Sequence, residues 1–139
     1  MSYRVLIDRD MNCVFVQHFD TFQIDEFQEL VDELTASPDH VKGMNVLRDV
    51  SQTTLPLGYD LEYIRSTVKS RIEYLDEAIG SNRKSAWVVG NLQDYTVIHQ
   101  FCVIYRLNLK IAERKPFRQI EKAMKWLGIP EDYVISYPE

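Results

Sequence analysis

The chain has 139 residues, 45% of them hydrophobic and 27% charged, the balance of a single folded domain with a substantial core. A formal net charge of −5 argues against a nucleic-acid partner, because phosphate binding needs a surplus of Lys and Arg. Two cysteines, Cys13 and Cys102, are too few for a disulfide framework and lack metal-ligand spacing. With no leader-like segment and no apolar run near about 18 residues, the expectation is a cytoplasmic protein without integral membrane association.

Residues 3–8 and 13–19 are two β-rich runs separated by Arg9-Asp10-Met11-Asn12, a short polar connection that predicts an antiparallel hairpin. In the second run Cys13, Phe15, Gln17 and Phe19 point one way and Val14, Val16 and His18 the other, so both faces need cover. A helix follows, with Ile24, Phe27, Leu30, Val31 and Leu34 on one face and acids mostly opposite. Ser37-Pro38-Asp39 ends it, and residues 44–49 form a third strand.

Residues 51–58 are the clearest loop. They precede a long amphipathic helix over residues 59–79 with the stripe Leu61, Ile64, Val68, Ile72, Leu75 and Ile79, closed by Gly80. Residues 85–89 are a nearly continuous apolar run ending in Gly90-Asn91, the pattern of a strand buried on both faces. A helix runs from Leu92 to about residue 107, a fifth strand occupies 108–112, and a last helix spans residues 117 or 118 to 127 before Gly128 and Pro130. The tail is expected to pack through Tyr133 and Ile135. Trp87 and Trp126 read as core anchors; Arg65, Lys69, Arg71 and Arg114, Lys115, Arg118, Lys122, Lys125 are the densest candidates for a local basic patch, with the basic positions on the last helix read as a solvated face.

The order β-β-α-β-α-β-α-β-α implies an α/β fold: a mixed, mostly parallel sheet of about five strands with about four helices, opened by an antiparallel hairpin. The helix over 95–107 is apolar on more than one side, with Val97, Phe101 and Ile104 on one face and Ile98, Cys102 and Tyr105 on another. Such a helix is covered beyond its core side. The second cover is another subunit, an apolar ligand or the C-terminal tail, expected in that order because symmetric dimers are common. Val97, Phe101, Ile104 and Tyr105 are therefore the candidate dimer contacts.

Open α/β sheets bind ligands beyond the C-terminal ends of their parallel strands. There the chain offers Asp49, Ser51, Asn91 and Asp94, with Tyr95 and His99 spaced to share a hydrogen bond along the next helix. These six are the candidate ligand-binding residues. Asp94 lies off the Tyr95–His99 face, so no Asp-His-Ser relay is indicated, and Asn91 with Asp94 also fits a plain turn and cap. No glycine-rich phosphate cradle and no zinc-binding histidine spacing occurs. The expectation is a protein that is not an enzyme and takes no metal or cofactor.

Four stretches together resemble the SpoIIAA-like bacterial proteins of the STAS/SEC14 type: the opening hairpin; the strand ending Leu47-Arg48-Asp49; Ser85-Ala86-Trp87-Val88-Val89-Gly90 before a helix; and Pro116-Phe117-Arg118 followed by Glu121, Ala123, Trp126, Leu127 and Gly128. The resemblance spans nearly the whole chain. It implies one domain over residues 1–139, without a cofactor, acting either as a protein-binding switch or as an enclosure for a lipid-like ligand. The Asp-Ser-Ser-Gly run that is phosphorylated in the switch proteins is absent here, and the nearest residues are Asp49, Ser51, Thr53 and Thr54. The leading expectation is a regulatory module working through protein contacts as a homodimer. The alternative is a carrier or sensor of a small apolar ligand, with 55–58 as its lid.

Overall fold

The computed structural model describes residues 3–20, 25–56, 58–80, 83–105 and 112–138, apart from the side chains at 61, 64, 68, 69, 104 and 105. Five strands form one sheet in the order β1 (Tyr3–Asp8), β2 (Cys13–His18), β3 (Asn45–Asp49), β4 (Lys84–Val88) and β5 (Glu113–Phe117). The β1–β2 pair is antiparallel and the other three pairs are parallel. The fold is α/β with a mixed five-stranded sheet, as the alternation of strands and helices predicts.

The hairpin turn is built by its own side chains. Asp8 accepts the Met11 amide at 3.1 Å, the Asn12 amide closes back on the Arg9 carbonyl at 3.1 Å, and Asn12 takes a positive φ of 53°, a conformation Asn tolerates. Helix α1 (Glu26–Ala36) carries Glu26 and Glu29 in its first turn, where the dipole favours them, and Ser37 leaves helical geometry before Pro38.

The long helix predicted over 59–79 is interrupted. A single turn α2 (Leu61–Tyr63) passes into a π-helical segment (Ile64–Val68) and then into α3 (Lys69–Ile79). Gly80 ends α3 with φ 106°, and a Cβ there would lie 2.6 Å from the Gly43 nitrogen, so the position demands glycine twice over. Helix α4 is Leu92–Tyr105 and helix α5 is Ile120–Trp126.

Two predicted boundaries are corrected. The fifth strand is Glu113–Phe117, whereas residues 108–111 lie outside the described residues and Ala112 precedes the strand. Pro116 disguises this strand as a break, yet β5 is the sheet's edge, where proline costs no needed ladder donor. Phe117 consequently closes β5 instead of opening the last helix.

Period-two alternation divides the sheet into two cores. On the first face Tyr3, Val14, Val16, Val46 and Trp87 meet Phe27, Leu30, Val31 and Leu34 of α1, Ile72, Leu75 and Ile79 of α3, and Ile98, Phe101 and Cys102 of α4. On the second, Cys13, Phe15, Leu47, Ala86, Val88 and Phe117 meet Ala123 of α5, Leu127 and Ile129. Each fully buried large aliphatic or aromatic side chain contributes about 1.5–3 kcal/mol. The tail covers the β1–β2 half of the second face: Tyr133 stacks on Phe15 with centroids 5.5 Å apart and donates to Asp8 at 2.6 Å. Ile135 packs there as expected, and Tyr137 joins it. Trp87 is buried as predicted, whereas Trp126 only edges the second core, with Lys84 over its ring at 5.1 Å.

Candidate functional site

The C-terminal ends of β2, β3 and β4 open onto a shallow polar depression lined by Asp20, residues 51–54, Gly90 and Asn91. Each wall is tied down by its own chemistry. After β3 the chain turns, the Thr53 amide returning to the Val50 carbonyl at 3.2 Å. Asp49 accepts both the Ser51 amide at 2.9 Å and the Ser51 hydroxyl at 2.5 Å. The Thr53 hydroxyl donates to the Asp20 carbonyl across the depression.

At the start of α4, Asn91 and Asp94 cap each other: the Asp94 amide donates to Asn91 Oδ1 at 2.8 Å, and Asn91 Nδ2 donates to Asp94 Oδ2 at 3.1 Å. The same Asp94 oxygen accepts the Leu55 amide at 3.2 Å. Asp94 is buried and acts as a clamp between the 51–56 loop and α4. Ser51, Gln52, Thr54 and Gly90 are exposed. The rim offers hydroxyl, amide and backbone groups on a fixed frame, which suits hydrogen bonding to an approaching surface.

Gly90 makes that frame possible, because a Cβ there would lie 2.6 Å from the Ser51 carbonyl oxygen. Gly90→Ala is expected to destabilise the fold by about 1–3 kcal/mol through overpacking against backbone. A urea midpoint unchanged from wild type would show that the two loops do not touch.

The six ligand-binding candidates fall into three pairs. Asp49 with Ser51, and Asn91 with Asp94, share one edge. Tyr95 and His99 do not line the depression; their rings stack with centroids 6.0 Å apart, Tyr95 packing toward the first core and His99 lying exposed on α4. Among the described residues no three His, Cys, Asp or Glu side chains gather as a metal site, and no helix is long and apolar enough to cross a membrane.

Part of the apolar excess of α4 is covered within the chain, although Val103 is exposed. Ile98, Phe101 and Cys102 are buried within the single chain, Phe101 meeting Trp87 edge-on at 6.4 Å, and Val97 packs against the same core. Phe101, expected at a dimer contact, is 2% exposed and has no surface to offer a second subunit. The side chains of Ile104 and Tyr105 lie outside the described residues.

A second arrangement lies between the sheet and the helices. The Arg48 guanidinium sits over Phe27 at 4.5 Å and over Trp87 at 5.0 Å. Trp87 meets Phe101, and Arg114 lies over Phe101 at 5.7 Å. Arg114 then grips Asp76 with two bonds of 2.8 and 2.6 Å, and Arg83 reaches the same carboxylate at 2.6 Å. Three guanidinium groups and three rings thus run across the layer beneath α1, α3 and α4. Burial, then the neighbouring arginines, pull Arg48 down to about 9, and burial, then Arg114, pulls Arg83 to about 9; both stay charged at neutral pH. Arg114, read from the sequence as part of a surface patch, is buried instead. Asp76 carried a legible signal, since it falls within the apolar stripe of Ile72, Leu75 and Ile79.

Next to Arg48, His18 Nδ1 lies 3.0 Å from Glu26 Oε2, both side chains buried. Burial, and then the Arg48 charge, lower the His18 pKa from 6.5 to about 2. A neutral imidazole with its proton on Nδ1 donates to Glu26, while Arg48 supplies the balancing positive charge. Because the folded pKa lies below the unfolded one, the unfolded chain takes up a proton that the folded chain refuses. Stability is therefore fully present above about pH 6.5 and falls below it, by up to about 1.4 kcal/mol per pH unit. His18→Gln should flatten the limb between about pH 6.5 and 5. An acid limb identical to wild type in urea titrations would rule His18 out as its source.

No protein-family profile matches the chain and no curated protein matches it.

Proposed function

We propose that the protein is a non-enzymatic binding module of the SpoIIAA-like, STAS/SEC14 type, which contacts a protein partner through the C-terminal edge of its sheet. The carrying observation is the depression framed by Asp20, residues 51–54, Gly90 and Asn91: it is open, polar and clamped by Asp94, Asp49 and Thr53. A rigid polar rim loses little entropy on docking, which favours recognition by hydrogen bonds. Two free, buried cysteines support a cytoplasmic setting.

The homodimer expectation rested on the apolar excess of α4. Burial of Ile98, Phe101 and Cys102 inside the chain accounts for the part of that excess that the described residues show, so the module is proposed to act as a single chain.

A carrier of a small apolar ligand is the second reading, favoured by the π-helical segment Ile64–Val68, because such segments concentrate at functional sites. It lies beside the stacked rings of Tyr59 and Tyr63, 4.4 Å apart. Native mass spectrometry of protein purified without detergent separates the readings. The binding module predicts bare single chains. A retained mass of a few hundred daltons would favour the carrier, and stable dimers would return the contact to a symmetric interface.

A further inference from the structure

The two edges of the sheet are built differently. β5 is blunted in the usual ways, with Pro116 inside the strand and the charged Glu113 and Lys115 exposed along it. β1 has no proline, glycine or lysine over Tyr3–Asp8. It stands at the end of the strand order and pairs with β2 alone, so every second set of its backbone amides and carbonyls faces away from the sheet. Val5 and Ile7 pack on the first core and Leu6 on the second. All three are nonetheless only half-buried.

Alternation sets Arg4, Leu6 and Asp8 on the second face. Arg4 is exposed. Its Nε donates to Gln17 at 2.8 Å and its guanidinium lies over the Tyr137 ring at 5.3 Å, which orients the group while its Nη atoms make no hydrogen bond among the described residues. The Tyr133 hydroxyl, then the Met11 amide, hold Asp8 below the usual carboxylate range, so it is charged at neutral pH. The open edge therefore reads positive, three apolar residues, negative.

A strand added to such an edge gains main-chain hydrogen bonds whatever its sequence, and the side chains opposite supply the selection. Antiparallel pairing is the more stable per residue. It sets a basic residue opposite Asp8, apolar residues opposite Ile7, Leu6 and Val5, and an acidic residue opposite Arg4. Six paired residues fall short of the about 1,200 Å² that a stable complex buries, which disfavours a rigid second copy meeting the chain through this strand alone. A flexible segment can continue past Arg4 onto the half-buried Tyr137.

We propose that the outer edge of β1 is a docking site for an extended segment of a protein partner. The segment adds antiparallel as a sixth strand and carries one basic, three apolar and one acidic residue in that order. This surface is separate from the depression at the C-terminal ends of β2, β3 and β4.

The test titrates the isotope-labelled whole chain with the capped peptide acetyl-Ser-Lys-Val-Leu-Val-Glu-Ser-amide, followed by amide NMR. Shifts should saturate and centre on residues 3–8, and exchange of alternate β1 amides should slow. The peptide with Lys and Glu exchanged should bind about fivefold or more weakly. Of two peptides N-methylated on alternate sets of amides, only one should bind, because a strand turns every second amide to its neighbour. Arg4→Glu should weaken the first peptide by a similar factor and regain it when the peptide's Glu becomes Lys. Equal affinity for both charge orders, equal binding of both methylated peptides, or no saturable binding overturns the proposal. Shifts centred on residues 51–54 and Gly90 also overturn it, by moving the segment to the depression. Mass doubling with concentration, accompanied by β1 shifts in the absence of peptide, overturns it by giving the edge to a second copy.

Discussion

Replacing Asp76 with Asn should cost about 3–5 kcal/mol of folding stability, the largest loss expected of any single polar substitution in this chain. The change is nearly isosteric, so packing is kept and the effect is electrostatic. One carboxylate oxygen becomes an amide nitrogen facing donors from Arg114 and Ala112 or from Arg83 and Arg114, and two buried guanidinium groups lose their counter-charge. Urea unfolding followed by tryptophan fluorescence measures the loss. Asp25→Asn is the internal control: Asp25 pairs with Arg71 at 3.0 Å, but its side chain is 86% exposed, and exposed pairs contribute about 0–1 kcal/mol. If the two variants unfold at similar midpoints, Asp76 is not the anchor of a dry cluster.

Phe101→Ala should destabilise by about 3–5 kcal/mol, the range for a large aromatic removed from a core. Phe101 is the link between Trp87 and Arg114, so its loss leaves a cavity and strips the apolar cover from a buried guanidinium face. Phe101→Asp should fail to fold. A folded Phe101→Asp chain of reduced oligomeric mass would place the residue at a subunit contact and reverse this account.

Strand and helix alternation made the fold readable because each element carries its own period. The β2 pattern assigned Val14 and Val16 to one face and Cys13 and Phe15 to the other, and the two cores follow it. Pro116 hid β5 because proline reads as a break unless the strand is known to be an edge, which only the sheet order reveals. The π-helical segment left no trace, since Ile64 and Val68 also continue a regular α-helical stripe. Helix α4 was legible as apolar on several sides, but periodicity cannot say whether a sheet, a neighbouring helix or another chain provides the cover. The arginine layer was partly legible: Arg48 stands in an apolar strand and Asp76 on an apolar stripe, yet the Asp76 partners are Arg83, just before β4, and Arg114, in β5. At the candidate site, proximity in sequence located Asp49–Ser51 and Asn91–Asp94, while the Asp94–Leu55 clamp joins residues 39 positions apart and needed the fold.

The binding claim rests on the C-terminal edge, and substitutions on that edge test it most directly. Gln52→Arg with Thr54→Arg places two charges on exposed rim positions outside the clamping hydrogen bonds. Lys122→Glu, exposed on α5 over the other face, is the matched control. Quantitative affinity capture from native extract, with urea midpoints to confirm folding, should recover one specific partner with wild type and Lys122→Glu and lose it with the rim variant. A partner held equally by all three proteins would contradict the assignment of the edge as the contact surface.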